Sequence, residues 1–147
     1  MLEPAIDAVK EFLVAKNIDV SIPFSELTPT NDMPQLLAIM KQHAEYALRR
    51  HRELGNTPWG VRYLALSLVI EETQELIAAV LMANEAETMD AIGDTIYVAI
   101  GLALRLQLPA NAAFIAVHKS NMTKAPGSPD QPRLDGEKKG ESYVAPD

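Results

Sequence analysis

A group of acidic side chains in the middle of the chain carries the clearest chemical signal in the sequence. Its members are Glu71, Glu72, Glu75, Asp90 and Asp94. Spacings of three and four residues, as within EETQE, place side chains on one face of an α-helix. Converging carboxylates form an oxygen-rich site of the kind that Mg²⁺ or Mn²⁺ prefers, and that Zn²⁺ does not. The pattern therefore predicts a site for a divalent cation.

The distribution of charge along the chain also supports a cation site. No Lys or Arg lies between Arg62 and Arg105, and this interval holds seven Asp and Glu residues. Its formal charge of −7 therefore equals the net charge of the whole chain. The interval is otherwise apolar, so we expect it to be largely buried. Buried carboxylates need a compensating cation, either a Lys or Arg from elsewhere in the fold or a metal ion. The alternative is a solvated acidic face of an amphipathic helix.

The elements that must position these acids are helices. Prolines, glycines, capping residues and helical spacing predict them over about residues 4–16, 33–54, 58–83, 85–107 and 109–123. Asn31 or Asp32 is expected to cap the second helix and Thr57 the third. A weak strand signal occurs only at 17–22, so the predicted fold class is all-α, a bundle of five helices.

The third and fourth helices are joined by a short connection at Asn84, so they are predicted to form an antiparallel hairpin. The acids near 72–75 and those near 90–94 then lie about equally far from the turn and can face each other. Glu85 and Glu87 are interpreted differently, as negative charges that stabilise the fourth helix at its positive N-terminal end.

The composition limits the function classes. The chain has 147 residues, of which 48% are hydrophobic and none is Cys, so disulfides, thiolate nucleophiles and Cys-type metal sites are excluded. The negative net charge argues against nucleic-acid binding. We expect one domain over 1–125, an extended Pro/Gly-rich tail over 126–147, a cytoplasmic protein without a membrane segment, and a homo-oligomer.

The acidic residues resemble a known family. EExxE on one helix followed by DxxxDxxYV on the next is similar to the MazG-like all-α nucleoside triphosphate pyrophosphohydrolases. These include MazG, the dimeric dUTPases and phosphoribosyl-ATP pyrophosphohydrolase. The later segment VHKSNMTK is similar to the VHxxNxxK segment of phage-type MazG-like proteins, and the resemblance covers about residues 60–127. It implies a homodimer or homotetramer that hydrolyses a nucleoside triphosphate to the monophosphate and pyrophosphate with Mg²⁺ or Mn²⁺.

The resemblance also implies roles for individual acids. Glu72, Glu75 and Asp94 match the family's metal ligands. The family pattern ExxD has a Glu three residues before Asp94, where this chain has Ala91. We expect Asp90, one residue earlier, to replace that Glu at the metal ion, because Mg²⁺ keeps several waters and tolerates altered geometry.

The remaining roles concern water and the phosphates. Glu71 flanks the ligand pair and is the candidate base that activates water, with an ordinary ligand role as the alternative. The candidate substrate-binding residues at the end of the fifth helix are His118, Lys119, Asn121 and Lys124. The alternatives are a structural His and lysines that stabilise a helix C-terminus.

Several residues, and the function itself, have alternative interpretations. Trp59 is expected to be a core anchor at the start of the third helix, with base stacking as the alternative. The second helix contributes Lys41 and the basic run 49–52, interpreted as a solvated helix end. A non-catalytic nucleotide- or metal-binding module, or an unrelated helical interaction protein, are the alternative functions. The base of the substrate is open, and VHKSNMTK argues against phosphoribosyl-ATP.

Overall fold

The structure, a computed structural model, describes residues 2–18, 20–125 and 143–146. These residues form five α-helices and one short 3₁₀ turn, with no strand among them, so the predicted all-α class is confirmed. The α-helices are α1 (Glu3–Ala15), α2 (Pro34–Leu54), α3 (Pro58–Leu81), α4 (Glu85–Arg105) and α5 (Ala110–Met122), and the 3₁₀ turn covers Phe24–Glu26.

The chain divides into two compact units. The first unit comprises the described residues within 1–22 and 109–147, with α1 packed on α5, and the second comprises residues 23–108, with α3 packed on both α2 and α4. The domain boundary predicted at 126 lies outside the described residues, as does the tail over 126–142. The acidic residues all belong to the second unit.

The turn between α2 and α3 is fixed by glycine. Gly55 ends α2 with a positive φ of 60°, and a Cβ on Gly60 would lie 2.0 Å from the Gly55 carbonyl oxygen. His51 Nδ1 lies 2.8 Å from the Gly60 carbonyl oxygen, and the Thr57 hydroxyl accepts a bond from the Gly60 N–H. The close approach holds α2 and α3 together as a hairpin, with the predicted Thr57 cap confirmed.

The turn between α3 and α4 places the acids. Ala83 has a positive φ of 52°, and the Asn84 side chain accepts a bond from the Glu87 N–H and so caps α4. The connection is short enough for α3 and α4 to run antiparallel and pack along their length. The predicted hairpin is confirmed.

One local prediction in the first half of the chain is wrong. The N-cap of α2 is Met33, with no side-chain cap bond, so neither Asn31 nor Asp32 caps it. Pro34 lacks an N–H and sets the start of the helix without a capping side chain. The described residues within 17–22 form no strand, which agrees with the all-α class predicted in spite of the weak strand signal there.

The core of the single chain is small. The buried hydrophobic residues among those described are all alanines, namely Ala47, Ala65, Ala79 and Ala91. Large apolar side chains lie exposed along α4 at four-residue intervals, at Ile92, Ile96, Ile100 and Leu104. The expectation that the apolar interval around the acids is largely buried is therefore wrong for one chain alone, because much of its apolar surface has no cover there.

The first unit organises the end of α5. The Lys16 ammonium is buried and donates a bond of 2.9 Å to the Met122 carbonyl oxygen at the C-terminus of α5. Ser120 donates a bond of 2.6 Å to the Val144 carbonyl oxygen, and the Val144 N–H donates to the Thr123 hydroxyl. The described residues of the tail thus dock on the last turn of α5.

No single helix among the described residues is long and apolar enough to cross a membrane. Only α4 and α5, counted together across the break between them, reach the required length and hydropathy.

Candidate active site

The contact between α3 and α4 lies at the level of the acids. Thr88 and Ala91 on α4 are buried, and the Thr95 hydroxyl donates to the Ala91 carbonyl oxygen at 2.7 Å. The same hydroxyl lies 3.4 Å from the Glu72 carbonyl oxygen on α3. This contact fixes the register that sets Glu72 level with the residues around Asp94.

Glu72 is the inward member of the acidic group. Its Oε2 atom is buried and has no hydrogen-bond partner among the described residues. Burial raises the pKa of Glu72 above its usual value, and the nearby negative charges raise it further. In decreasing order of effect these charges belong to Glu75, Asp94, Glu71 and Asp90. The structure therefore brings all five predicted acids into one electrostatic cluster, which we call the acidic cluster.

The other four members of the acidic cluster are more open. Glu71 and Glu75 on α3 and Asp90 and Asp94 on α4 are exposed, while Glu72 between them is partly buried. The exposed carboxylates are solvated, as in the alternative interpretation of an acidic face. Only Glu72 has both the burial and the unpartnered oxygen that call for a cation.

The donor chemistry fits a divalent cation. Four carboxylates surround the unpartnered oxygen of the fifth, Glu72, and none of the ion pairs between described residues involves a member of the acidic cluster. In the present side-chain arrangement, no three described His, Asp or Glu side chains are placed to hold one metal ion together. Ligation would therefore require the exposed carboxylates to turn toward Glu72.

Ala91 explains part of the departure from the ExxD pattern. It is only 5% exposed and lies one helical turn before Thr95, whose hydroxyl is 3.4 Å from the Glu72 carbonyl oxygen on α3. A side chain at this position points into the helix contact, whereas Asp90 and Asp94 lie on the exposed flank. Asp90 is thus on the same flank as Asp94, one helical turn away.

The predicted phosphate-binding residues lie in the first unit, near the C-terminus of α5. His118 Nε2 lies 3.3 Å from Glu11 Oε2, so a carboxylate already satisfies one nitrogen of the ring. Lys119 is exposed, and Asn121 and Lys124 are partly buried. Their roles in substrate binding stay predictions.

Trp59 at the α2–α3 turn differs from expectation, whereas Arg49 and Arg52 are exposed, as expected of a solvated helix end. Trp59 is 59% exposed, with the Arg62 guanidinium 5.5 Å from its ring centroid, so the expected core anchor is wrong. The Arg50 guanidinium lies over the Tyr63 ring and pairs with Glu53. The basic run of α2 therefore engages neighbouring side chains.

An open groove of about 470 Å³ lies between α2 and α3, beside the acidic cluster. Leu48, Leu64 and Leu68 contribute apolar lining, while Glu71 and Glu75 belong to its polar part. This groove was not predicted from the sequence, although one helical face of α2 could have indicated it by the spacing of Lys41, Ala44, Glu45 and Leu48.

Comparison with known families decides the assignment of the chain. The family model for phosphoribosyl-ATP pyrophosphohydrolase matches residues 36–121, which is more than half of the chain. The chain belongs to this family. The phosphoribosyl-ATP pyrophosphohydrolase family is part of the MazG-like superfamily, so the resemblance noted from the sequence is confirmed, and it indicates a nucleotide pyrophosphohydrolase in general. No curated protein and no solved structure matches the chain significantly.

The matched region contains α3 and α4 entirely and nearly all of α2 and α5. All five members of the acidic cluster lie within it, as do His118, Lys119 and Asn121, whereas Lys124 falls just beyond its end. The acidic cluster therefore lies within the matched region, which covers most of the second unit and continues into α5.

Proposed function

We propose that the protein hydrolyses a nucleoside triphosphate, either ribo or deoxy, to the monophosphate and pyrophosphate with Mg²⁺. The observation that carries the proposal is the buried, unpartnered oxygen of Glu72 amid four other carboxylates. A family of pyrophosphohydrolases supplies the class of reaction. A cytoplasmic location, where nucleoside triphosphates are made and used, is part of the proposal.

The acids have separate roles in this proposal. Glu72, Glu75, Asp90 and Asp94 would hold Mg²⁺, for which Mn²⁺ could substitute. The ion would supply positive charge to offset the negative charge of the phosphates. Glu71 is exposed at the edge of the groove and accepts a proton from the attacking water. The water oxygen bonds to the α-phosphorus, and the bond from that phosphorus to the bridging oxygen breaks to release pyrophosphate.

The proposal also includes four phosphate-binding residues on or just after α5. Lys119 and Lys124 supply positive charge, Asn121 supplies an amide, and His118 supplies a ring nitrogen. His118 has a competing partner in Glu11, so we expect its contribution to be the weakest of the four.

Phosphoribosyl-ATP is the second candidate substrate, because the matching family carries its name. A panel of nucleoside triphosphates, deoxynucleoside triphosphates and phosphoribosyl-ATP, assayed for pyrophosphate with Mg²⁺, separates the candidates. We expect at least one triphosphate to be cleaved faster than phosphoribosyl-ATP, and cleavage in ¹⁸O-water to label the monophosphate. Release from phosphoribosyl-ATP alone would select the second candidate.

The same panel tests the non-catalytic alternative. A regulatory module on this fold would show thermal stabilisation by Mg²⁺ or nucleotide without pyrophosphate release. Absence of pyrophosphate from every compound in the panel would contradict an enzymatic function.

The small alanine core supports a further part of the proposal, a homodimer or homotetramer. The exposed stripe Ile92, Ile96, Ile100 and Leu104 is the kind of apolar surface that proteins cover by association. Light scattering at micromolar concentration is expected to give a mass of at least twice the 16.1 kDa of one chain. A mass equal to that of one chain would contradict the assembly.

A further inference from the structure

The groove between α2 and α3 has one basic side chain beside several acids. Of the described residues that line it, only Lys41 is basic, whereas Glu45, Glu71 and Glu75 are acidic. Gln74 and Ser67 add an amide and a hydroxyl to this lining. A groove with this balance repels a free polyanion and suits a polyphosphate that arrives with its divalent cation.

The hairpin register places Lys41 level with the acidic cluster. The connection between α2 and α3 centres on Asn56, and Lys41 precedes that residue by as many positions as Glu71 follows it. In an antiparallel hairpin, residues equally far from the turn lie side by side. Lys41 and Glu71 therefore face each other across the groove that both of them line.

The ammonium of Lys41 is uncommitted in the structure. None of the ion pairs between described residues involves it, whereas Arg49 and Arg50 on the same helix lie over the rings of Tyr46 and Tyr63. Since α3 and α4 supply no Lys and only Arg62 and Arg105 at their ends, Lys41 is the cation that faces the middle of α3 from α2 within the described groove.

We propose that Lys41 binds the phosphate chain of the substrate in the α2–α3 groove. The inference rests on the proposed function, and it adds a phosphate-binding cation from α2 to those expected from α5. A lysine ammonium binds phosphate oxygens as a compact charge with three donors, so its loss weakens substrate binding more than it slows the chemical step.

The test uses the full chain and four proteins, the parent, Lys41→Met, Lys41→Arg and Arg52→Met. Arg52 is an exposed cation on the same helix that does not line the groove, so its variant matches the change in charge. Calorimetry measures binding of inorganic tripolyphosphate with Mg²⁺, a probe that has phosphates but no base. Steady-state assays on the best nucleotide of the panel give KM and kcat.

We expect Lys41→Met to weaken tripolyphosphate binding and to raise KM about tenfold, with kcat within about threefold of the parent. Lys41→Arg should restore most of the affinity, and Arg52→Met should leave it unchanged. Equal tripolyphosphate affinity in the parent and Lys41→Met, or no binding to the parent, would overturn the inference. Neither result decides the proposed function, which is tested separately by pyrophosphate release by the parent.

Discussion

Replacement of Glu72 by Gln is expected to lower the rate of pyrophosphate release at least about a thousandfold at saturating Mg²⁺. Gln keeps the volume of the side chain but removes the charge at the one buried oxygen of the acidic cluster that lacks a partner among the described residues. The remaining carboxylates are exposed, so under the proposed function we expect them to hold a cation only together with Glu72. Pyrophosphate release by the variant across an Mg²⁺ titration measures the effect.

The same variant should be more stable than the parent without metal. Burial and neighbouring charges raise the pKa of Glu72 in the folded chain. A raised pKa contributes stability below the ordinary Glu value and loses it as the pH rises through the folded value, so the parent is penalised at neutral pH. Glu72→Gln escapes that penalty, and we expect its Tm in EDTA at pH 7 to rise by about 2 °C.

The gain in Tm should shrink as the pH falls below the ordinary Glu pKa, because the parent's Glu72 is then protonated. Thermal melts of both proteins across this pH range check the sign. An activity within tenfold of the parent, or a lower Tm in EDTA at every pH, would contradict the role given to Glu72.

Asp90→Asn is expected to reduce activity by about 10- to 100-fold and to raise the Mg²⁺ midpoint. Asp90 lies one helical turn from Asp94 on the exposed flank of α4, and its charge reaches Glu72. Ala91, which occupies the ExxD position, is buried and has no side-chain oxygen. Asp90 is therefore the carboxylate on α4 that can complete the set with Asp94.

Glu87→Gln is the matched control for Asp90→Asn. Glu87 is an exposed acid in the first turn of the same helix, and its charge does not contribute to the raised pKa of Glu72. We expect this variant to retain the parent's rate and Mg²⁺ midpoint. If Asp90→Asn also stays within twofold of the parent in both quantities, Asp90 does not belong to the metal site.

Much of the second unit could be predicted because its signals are local. Gly55 marks the turn between α2 and α3 because glycine readily adopts a positive φ. Thr57 and Asn84 mark the starts of α3 and α4 because their side chains accept hydrogen bonds from backbone N–H groups three residues later. Equal distance from the turn between α3 and α4 then sufficed to bring Glu72 toward Asp94. The predicted cap of α2 was wrong because Pro34 starts that helix without a side-chain cap.

The parts that could not be predicted depend on packing. Spacing placed Glu71, Glu72 and Glu75 on one side of α3, but α3 lies between two helices. Glu71 and Glu75 therefore line the groove toward α2, while Glu72 is the member with a buried oxygen. The exposure of Trp59 and of the apolar stripe on α4 could not be predicted either, because hydropathy does not show whether another element covers an apolar surface.

The central claim is that the acidic cluster is a divalent-cation site anchored by Glu72. Its most direct test is a calorimetric titration of Mn²⁺ into the parent, Glu72→Gln and Glu87→Gln. We expect equal Mn²⁺ binding by the parent and Glu87→Gln, and an affinity at least about tenfold lower in Glu72→Gln. The same Mn²⁺ affinity in all three proteins would contradict it.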